Sequence, residues 1–249
     1  PLALADLERH KALELPPLSV ACGPHTIFNM PPPTQGLASL IILALYARLG
    51  VGQAEGFDFV HGLVEATKQA FRVRDKYVTD PAYMSADPLD FLKTDELDAM
   101  AGDIDRKQAA PWPDADPNGD TVWFGCIDGQ GRAVSMIQSL YWEFGSGTVL
   151  GETGITWQNR GTSFSLDPRG LNSLRPHRRP FHTIQPAMGL LADGRTMVYG
   201  TMGGEGQPQT QAMVFARHVL HSTDLQEAVT APRWLLGRTW GAETTNLRI

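Results

Sequence analysis

Gly119-Asp120-Thr121-Val122-Trp123-Phe124-Gly125-Cys126-Ile127-Asp128 is where the chain changes character. Upstream, residues 106–120 are its least hydrophobic stretch, with Pro111, Pro113 and Pro117 set among Asp114 and Asp116. Such a mixture holds neither a ladder nor a helix and reads as a surface loop or linker. Downstream the hydrophobic period becomes two. Residues 121–128 and 132–141 flank Gly129-Gln130-Gly131, the pattern of a β-hairpin. Cys126 alternates inside the first strand and reads as a small core residue. Thr121 opens the strand, and as a pattern it is an ordinary strand threonine.

Working outward, residues 20–23 and 25–30 read as an earlier hairpin, closed by Pro31-Pro32-Pro33-Thr34-Gln35-Gly36. Residues 37–49 are apolar almost all round, which predicts a buried helix stopped by Gly50. Residues 57–77 predict a second helix, with Phe59, Leu63, Ala66, Ala70 and Phe71 on one face. Residues 88–104 predict one or two short helices. Beyond the central hairpin, residues 161–179 form a polar loop. Its Arg175-Pro176-His177-Arg178-Arg179 cluster reads as solvated. Residues 187–191 and 196–201 predict a further hairpin, followed by Gly203-Gly204 and by helices over residues 208–221 and 225–229. Helices, then antiparallel strands, then helices imply an α+β domain whose sheets are covered by helices.

The totals narrow the function. The chain has 249 residues, 42% hydrophobic and 19% charged, with 25 Gly and 18 Pro, an ordinary globular composition rich in turns. A net charge of −6 argues against a nucleic-acid partner, which calls for a basic face. No apolar run approaches the roughly 20 residues of a membrane span. Cys22 and Cys126 lack the spacing of a zinc site. His10, His25, His61, His177, His218 and His221 show no ligand spacing either, so neither metal nor cofactor is expected. Met202-Gly203-Gly204-Glu205-Gly206 lacks the Lys and Ser/Thr of a phosphate loop, and Glu205 would repel a phosphate.

Chemistry gives Thr121 a second reading. A threonine hydroxyl is a weak nucleophile and needs a base. At a free N-terminus the α-amine is that base, with a pKa of about 7.7–8.0. A cut between Asp120 and Thr121 would create such a residue. Gly203-Gly204, at a strand-to-helix junction, suits the remaining requirement. Glycines allow close backbone approach, and successive N–H groups there can hold an oxyanion.

Several segments, taken together, resemble the γ-glutamyltransferase family of N-terminal-nucleophile hydrolases. They are Met30-Pro31-Pro32-Pro33-Thr34-Gln35-Gly36, Asp128-Gly129-Gln130-Gly131-Arg132-Ala133-Val134-Ser135, Phe144-Gly145-Ser146-Gly147, Gly154-Ile155 with Asn159, Arg179-Pro180, Gln185-Pro186 and Gly203-Gly204. The resemblance implies a four-layer αββα sandwich and autocatalytic cleavage of Asp120–Thr121. Residues 1–120 would then be the later part of a large subunit and residues 121–249 a small one that begins with the nucleophile, together one domain incomplete at both ends, with dimers of such heterodimers allowed. It places Thr121 as nucleophile, Ser139 as the hydroxyl that supports it, and Gly203 and Gly204 as oxyanion donors.

The departures bear on substrate. Where the family holds a glutamyl ammonium with an asparagine and an acid, this chain has Tyr141 and Ser163. A Ser-Ser pair that holds the α-carboxylate becomes His182-Thr183. Arg160 replaces a polar amide or acid. A pocket that loses an anion and gains a cation favours a small anionic amide over a zwitterionic γ-glutamyl group. The runs Tyr141-Trp142-Glu143-Phe144-Gly145-Ser146-Gly147, Trp157-Gln158-Asn159-Arg160-Gly161 and residues 200–208 resemble the branch of the family that includes oxamate amidohydrolase. A true γ-glutamyltransferase or glutathione hydrolase, a cephalosporin acylase and an unprocessed, non-enzymatic scaffold are the alternatives. A cytoplasmic setting is favoured over a periplasmic one, with a small-molecule amide as partner and neither nucleic acid nor membrane.

Overall fold

A helix with no polar side must be covered on every side, and the fold is built around one. In the computed structural model, which describes residues 3–112, 120–237 and 246–248, that helix is α2, Gly36–Leu49, and every residue from 36 to 46 is buried. Two short elements precede it: helix α1 (Leu4–Arg9) and the hairpin β1 (Leu18–Cys22) and β2 (His25–Asn29). The hairpin lies against α2, as do α3 (Gly56–Tyr77), α4 (Thr94–Gly102) and α5 (Gln207–Phe215). Each fully buried Leu or Ile on α2 contributes about 1.5–3 kcal/mol, so this helix anchors the core.

The remaining strands and helix come in this order. They are β3 (Asp120–Ile127), β4 (Ala133–Tyr141), β5 (Val149–Leu150), β6 (Ile155–Thr156), β7 (Ala187–Leu190), β8 (Thr196–Tyr199), α6 (Leu225–Thr230) and the small pair β9 (Leu235–Leu236) and β10 (Leu247–Arg248). The principal sheet is antiparallel in the order β1-β2-β7-β8. Its middle joint pairs β2 with β7, Thr26 opposite Leu190 and Phe28 opposite Met188. Strands from either side of residue 120 are therefore neighbours in one sheet.

β8 shows how two layers meet. Tyr199 turns toward the helices and packs on Phe215, ring centroids 5.0 Å apart. Val198 and Gly200, at alternate positions, face the β3–β4 hairpin instead. A Cβ on Gly200 would overlap the Trp123 ring, and one on Gly125 would press on Val198. These close approaches seat the hairpin on the sheet face opposite the helices. The outer side of the hairpin carries Val122, Phe124, Val134 and Met136, all exposed. Cys126 belongs to this outer side and is exposed, which corrects its reading as a core residue: the strand alternates, but the alternate face here is outward.

Two further differences have physical causes. α1 buries nothing and is held by an Asp6–Arg9 pair at 2.6 Å, so no hydrophobic period announces it. The helix expected over residues 208–221 runs as α5 and then loosens into a π-type turn over Ala216–Leu220. The Arg175–Arg179 cluster is only partly solvated. Arg178 donates to Thr79 Oγ1 at 2.7 Å and stacks over Tyr83.

The end of the first half is fastened to α3. Lys68 and Glu65 are both buried and paired at 2.6 Å. Lys68 also donates to the Ala110 carbonyl at 2.6 Å, and Glu65 accepts the Ala110 N–H at 3.1 Å. A buried ion pair persists when its remaining hydrogen-bonding capacity is used, and here it is used on the backbone of residue 110. Of the linker read over residues 106–120, residues 106–112 form no helix or strand and 106–109 are exposed, while residues 113–119 lie outside the described residues.

Candidate active site

The start of β3 is irregular, and the irregularity places the key hydroxyls. Asp120 pairs with Tyr141 and Val122 with Gln138, so Thr121 alone opposes both Ser139 and Leu140. Such a β-bulge re-aims side chains locally. Thr121 Oγ1 donates to Ser139 Oγ at 3.1 Å. The same Ser139 oxygen accepts the Tyr141 N–H at 2.9 Å and Arg160 Nη2 at 3.2 Å. Tyr141 ends β4 with φ +81°, a conformation that non-glycine residues rarely adopt. The chain turns sharply there, and the buried Tyr141 ring lies beneath the Arg160 guanidinium.

Arg160 belongs to a 3-10 turn, Arg160–Ser163. The turn is tied to the end of β4, because the Asn159 N–H donates to the Leu140 carbonyl at 3.1 Å and Asn159 Oδ1 accepts the Trp142 N–H at 3.1 Å. Arg160 is 4% exposed. Its Nη1 donates to Thr183 Oγ1 at 2.7 Å, and its guanidinium carbon sits 4.1 Å from the Tyr141 ring centroid. It makes no ion pair with a carboxylate among the described residues, and burial pulls its pKa down to about 10, opposed by Tyr141. Ser163 is eclipsed with Arg160 on the same turn. Its Oγ is buried without a hydrogen-bond partner among the described residues.

His182 and Thr183 arrive by a different route. The His182 N–H donates to the Pro33 carbonyl at 2.9 Å, and its carbonyl accepts the Gln35 N–H at 3.0 Å. Its ring Nδ1 faces the Ile184 N–H at 3.4 Å. Burial and then the Arg160 charge push its pKa down to about 3. The ring is thus neutral near pH 7, and Arg160 carries the positive charge of this corner.

Gly203 and Gly204 take φ +107° and +51°, values open to glycine, and lead through a 3-10 turn into α5. The turn is held from below by Gln35, which is fully buried. Gln35 Nε2 donates at 2.8 Å to both the Gly204 and the Thr183 carbonyls, and Gln35 Oε1 accepts from Arg74 Nη1 at 3.2 Å. Arg74 in turn lies 3.7 Å from Glu205. Fully buried Gln207 begins α5 and directs Nε2 toward Thr121 Oγ1 at 3.5 Å.

The structure thus brings Thr121, Ser139, Tyr141, Arg160 and Thr183 into one chain of contacts, with Gly204 joined to it through Gln35 and Gly203 its chain neighbour. Ser163 shares the Arg160 turn. His182 bonds mainly through its backbone, and the backbone of Asp120 pairs with Tyr141. Gln35 and Gln207 were not singled out from the sequence. Both lie inside quoted runs, but nothing in a sequence marks a glutamine as buried.

The profile described as Gamma-glutamyltranspeptidase matches residues 1–248, and the chain belongs to that family. Among its relatives, the oxamate amidohydrolase proenzyme of Klebsiella pneumoniae subsp. pneumoniae is 50% identical over 249 residues, all of this chain and 47% of that protein. The glutathione hydrolase-like YwrD proenzyme of Bacillus subtilis is 38% identical, again across all of this chain and 47% of the relative. The chain therefore spans about half the length of the curated relatives it matches. The crystal structure of cephalosporin acylase from Bacillus halodurans superposes with a TM-score of 0.86 at 34% identity, covering 96% of this chain and 44% of that one. The fold is accordingly the α+β sandwich of N-terminal-nucleophile hydrolases. The described residues supply a helical layer, the four-stranded sheet and the hairpin laid on it. Among the described residues, no helix is long and apolar enough to cross a membrane.

Proposed function

We propose that the protein is made as a precursor, is cut between Asp120 and Thr121, and then hydrolyses the amide bond of a small carboxylated substrate of the oxamate type. The observation that carries this reading is Arg160. A buried guanidinium without a carboxylate partner is costly unless an anion completes it. This one shares the Ser139 oxygen with the Thr121 hydroxyl. An anionic group bound at Arg160, with Ser163 Oγ beside it, would hold an adjacent carbonyl close to Thr121. A γ-glutamyl substrate also brings an ammonium, and Tyr141, Ser163 and Arg160 offer it no negative charge. Such a mismatch costs several kcal/mol.

The chemistry needs no metal. In processing, Thr121 Oγ attacks the Asp120 carbonyl carbon, the C–N bond breaks, and the resulting ester is hydrolysed. Residues 1–120 then belong to one subunit and residues 121–249 to the other, and Thr121 gains a free α-amine. In turnover, that amine takes the hydroxyl proton as Oγ attacks the substrate carbonyl. The oxyanion is held by the N–H groups of Gly203 and Gly204, a donor in such a place being worth about 2.7–4 kcal/mol. The proton passes to the leaving nitrogen, which departs as ammonia. The amine next deprotonates a water that attacks the acyl-threonine ester. The acid is released and the hydroxyl restored.

The names of the relatives support amide hydrolysis as the reaction class, and the corner around Arg160 favours the anionic member. A panel of oxamate, γ-glutamyl anilide and a glutaryl-cephalosporin, with and without an acceptor dipeptide, tests it on the whole protein. Oxamate turnover that is insensitive to the acceptor is expected. A preference for γ-glutamyl anilide that rises with the dipeptide would make the protein a transpeptidase instead. A single uncut band with no activity would make it a scaffold.

A further inference from the structure

The donors and acceptors around Thr121 do not balance, and the imbalance concerns the substrate nitrogen. A small carboxylated primary amide presents acceptors at its carboxylate and carbonyl. Its only donors are the two N–H groups of the amide. The corner built for it is rich in donors: Arg160, the Ser163 hydroxyl and the N–H groups of Gly203 and Gly204. One acceptor there is unused. Gln207 is fully buried, and its Oε1 has no hydrogen-bond partner among the described residues. The orientation of its carboxamide follows from the network. The Thr121 hydroxyl proton goes to Ser139, so Thr121 Oγ1 faces Gln207 as an acceptor, and Gln207 must present Nε2 to it, at 3.5 Å. The oxygen at the other end of the same planar group is left for something else. A buried acceptor without a partner is costly, and a ligand N–H beside the attacking oxygen satisfies it.

We infer that Gln207 reads the scissile nitrogen, its Oε1 accepting an N–H of the substrate's primary carboxamide while Thr121 Oγ attacks the neighbouring carbonyl carbon. The inference rests on the amidohydrolase reading and sharpens it from a carboxylated amide to a primary one. As the C–N bond breaks, the nitrogen takes the proton that the Thr121 amine received and leaves as ammonia. The contact to Gln207 fixes which way the departing nitrogen points. An ester of the same acid has no N–H to offer, so it leaves Gln207 Oε1 unpaired.

The test compares oxamate with monomethyl oxalate on the processed protein, as the ratio of their kcat/KM values. The ratio cancels any loss that Gln207 variants suffer through Thr121 itself or through partial processing. Gln207→Met removes the acceptor at similar length and is expected to lower the amide-to-ester ratio at least tenfold; Gln207→Leu serves if Gln207→Met does not process. Gln207→Glu retains an acceptor and is expected to hold the ratio within about threefold, as hydrogen-bond readout requires. An unchanged ratio in the acceptor-free variant, or an equal fall in Gln207→Glu, overturns the assignment and leaves the amidohydrolase reading intact. Wild-type protein that turns over neither compound overturns that reading, and this assignment with it.

Discussion

Arg160 lies face-on to Tyr141, its guanidinium carbon 4.1 Å from the ring centroid, and Tyr141 reaches that position through a backbone φ of +81°. The ring supplies the only stacking surface that the described residues give this cation. A desolvated cation–π contact is worth about 2 kcal/mol. Tyr141→Leu is therefore expected to raise KM for a carboxylated amide by about 30-fold, at 1.4 kcal/mol per decade. Tyr141→Phe, which keeps the ring face, should lose much less. Steady-state kinetics decide the matter; a neutral amide that suffers equally from Tyr141→Leu would sink the idea.

Ser139 is the common acceptor of Thr121, Arg160 and the Tyr141 N–H. Ser139→Ala leaves all three donors short at once. Losing a buried hydrogen bond costs about 1–3 kcal/mol, so self-cleavage should slow about 10- to 100-fold. A denaturing gel followed over time, with N-terminal sequencing of the smaller product, measures it. Cleavage at the wild-type rate would remove Ser139 from the mechanism.

Gln35 should show up in stability first. Gln35→Met strips a donor from the Thr183 and Gly204 carbonyls, both bound at 2.8 Å. The Gly204 carbonyl keeps the Gln207 N–H, so the unsatisfied group is the Thr183 carbonyl, which costs about 1–3 kcal/mol, and a fall in Tm of about 3–10 °C is expected for a chain of this size. The same variant should lower kcat more than it raises KM, because the Gly204 turn loses its support. A melt that matches wild type argues against the bracing role.

His182 gives the molecule an acid-sensitive corner. Its pKa is held down to about 3, first by burial and then by Arg160, whereas an unfolded histidine titrates near 6.5. Between those values the unfolded chain binds the proton that the native one refuses. Stability from this group is complete above about pH 6.5 and is lost as pH falls toward 3. Urea midpoints measured from pH 7.5 down to 5, before most carboxylates titrate, should decline in the wild type and decline less in His182→Gln. Parallel curves would show that His182 is not the group responsible.

The fold was legible wherever a side had to be apolar. The buried helix over residues 37–49, the two hairpins of the principal sheet and the helix after residue 56 all follow from periodicity. α1 escaped because none of its residues is buried. Cys126 was misplaced because alternation reveals that a strand has two faces and not which one is covered. The corner around Thr121 was legible as a set of residue types and illegible as a network. Arg160 reads on paper as a loop arginine, and its burial comes from the Asn159 grip on β4 and the turn at Tyr141. Gln35 and Gln207 carry no sequence signal, because the energy of a buried amide depends on which carbonyls and hydroxyls face it.

Under the proposed cut before Thr121, the pairing of β2 with β7 would have a kinetic meaning. Before the cut, refolding is a one-molecule event, and the intervening chain keeps the two strands at high mutual concentration. After it, the same joint would be an interface between separate polypeptides, still sharing a sheet and a core. Native protein would not fall apart on a sizing column, but protein unfolded in urea would have to find its partner again. Recovery should be independent of protein concentration for an uncut Thr121→Ala chain. It should rise with concentration for the cut form, so that processing would turn a reversible fold into one that is easily lost on dilution.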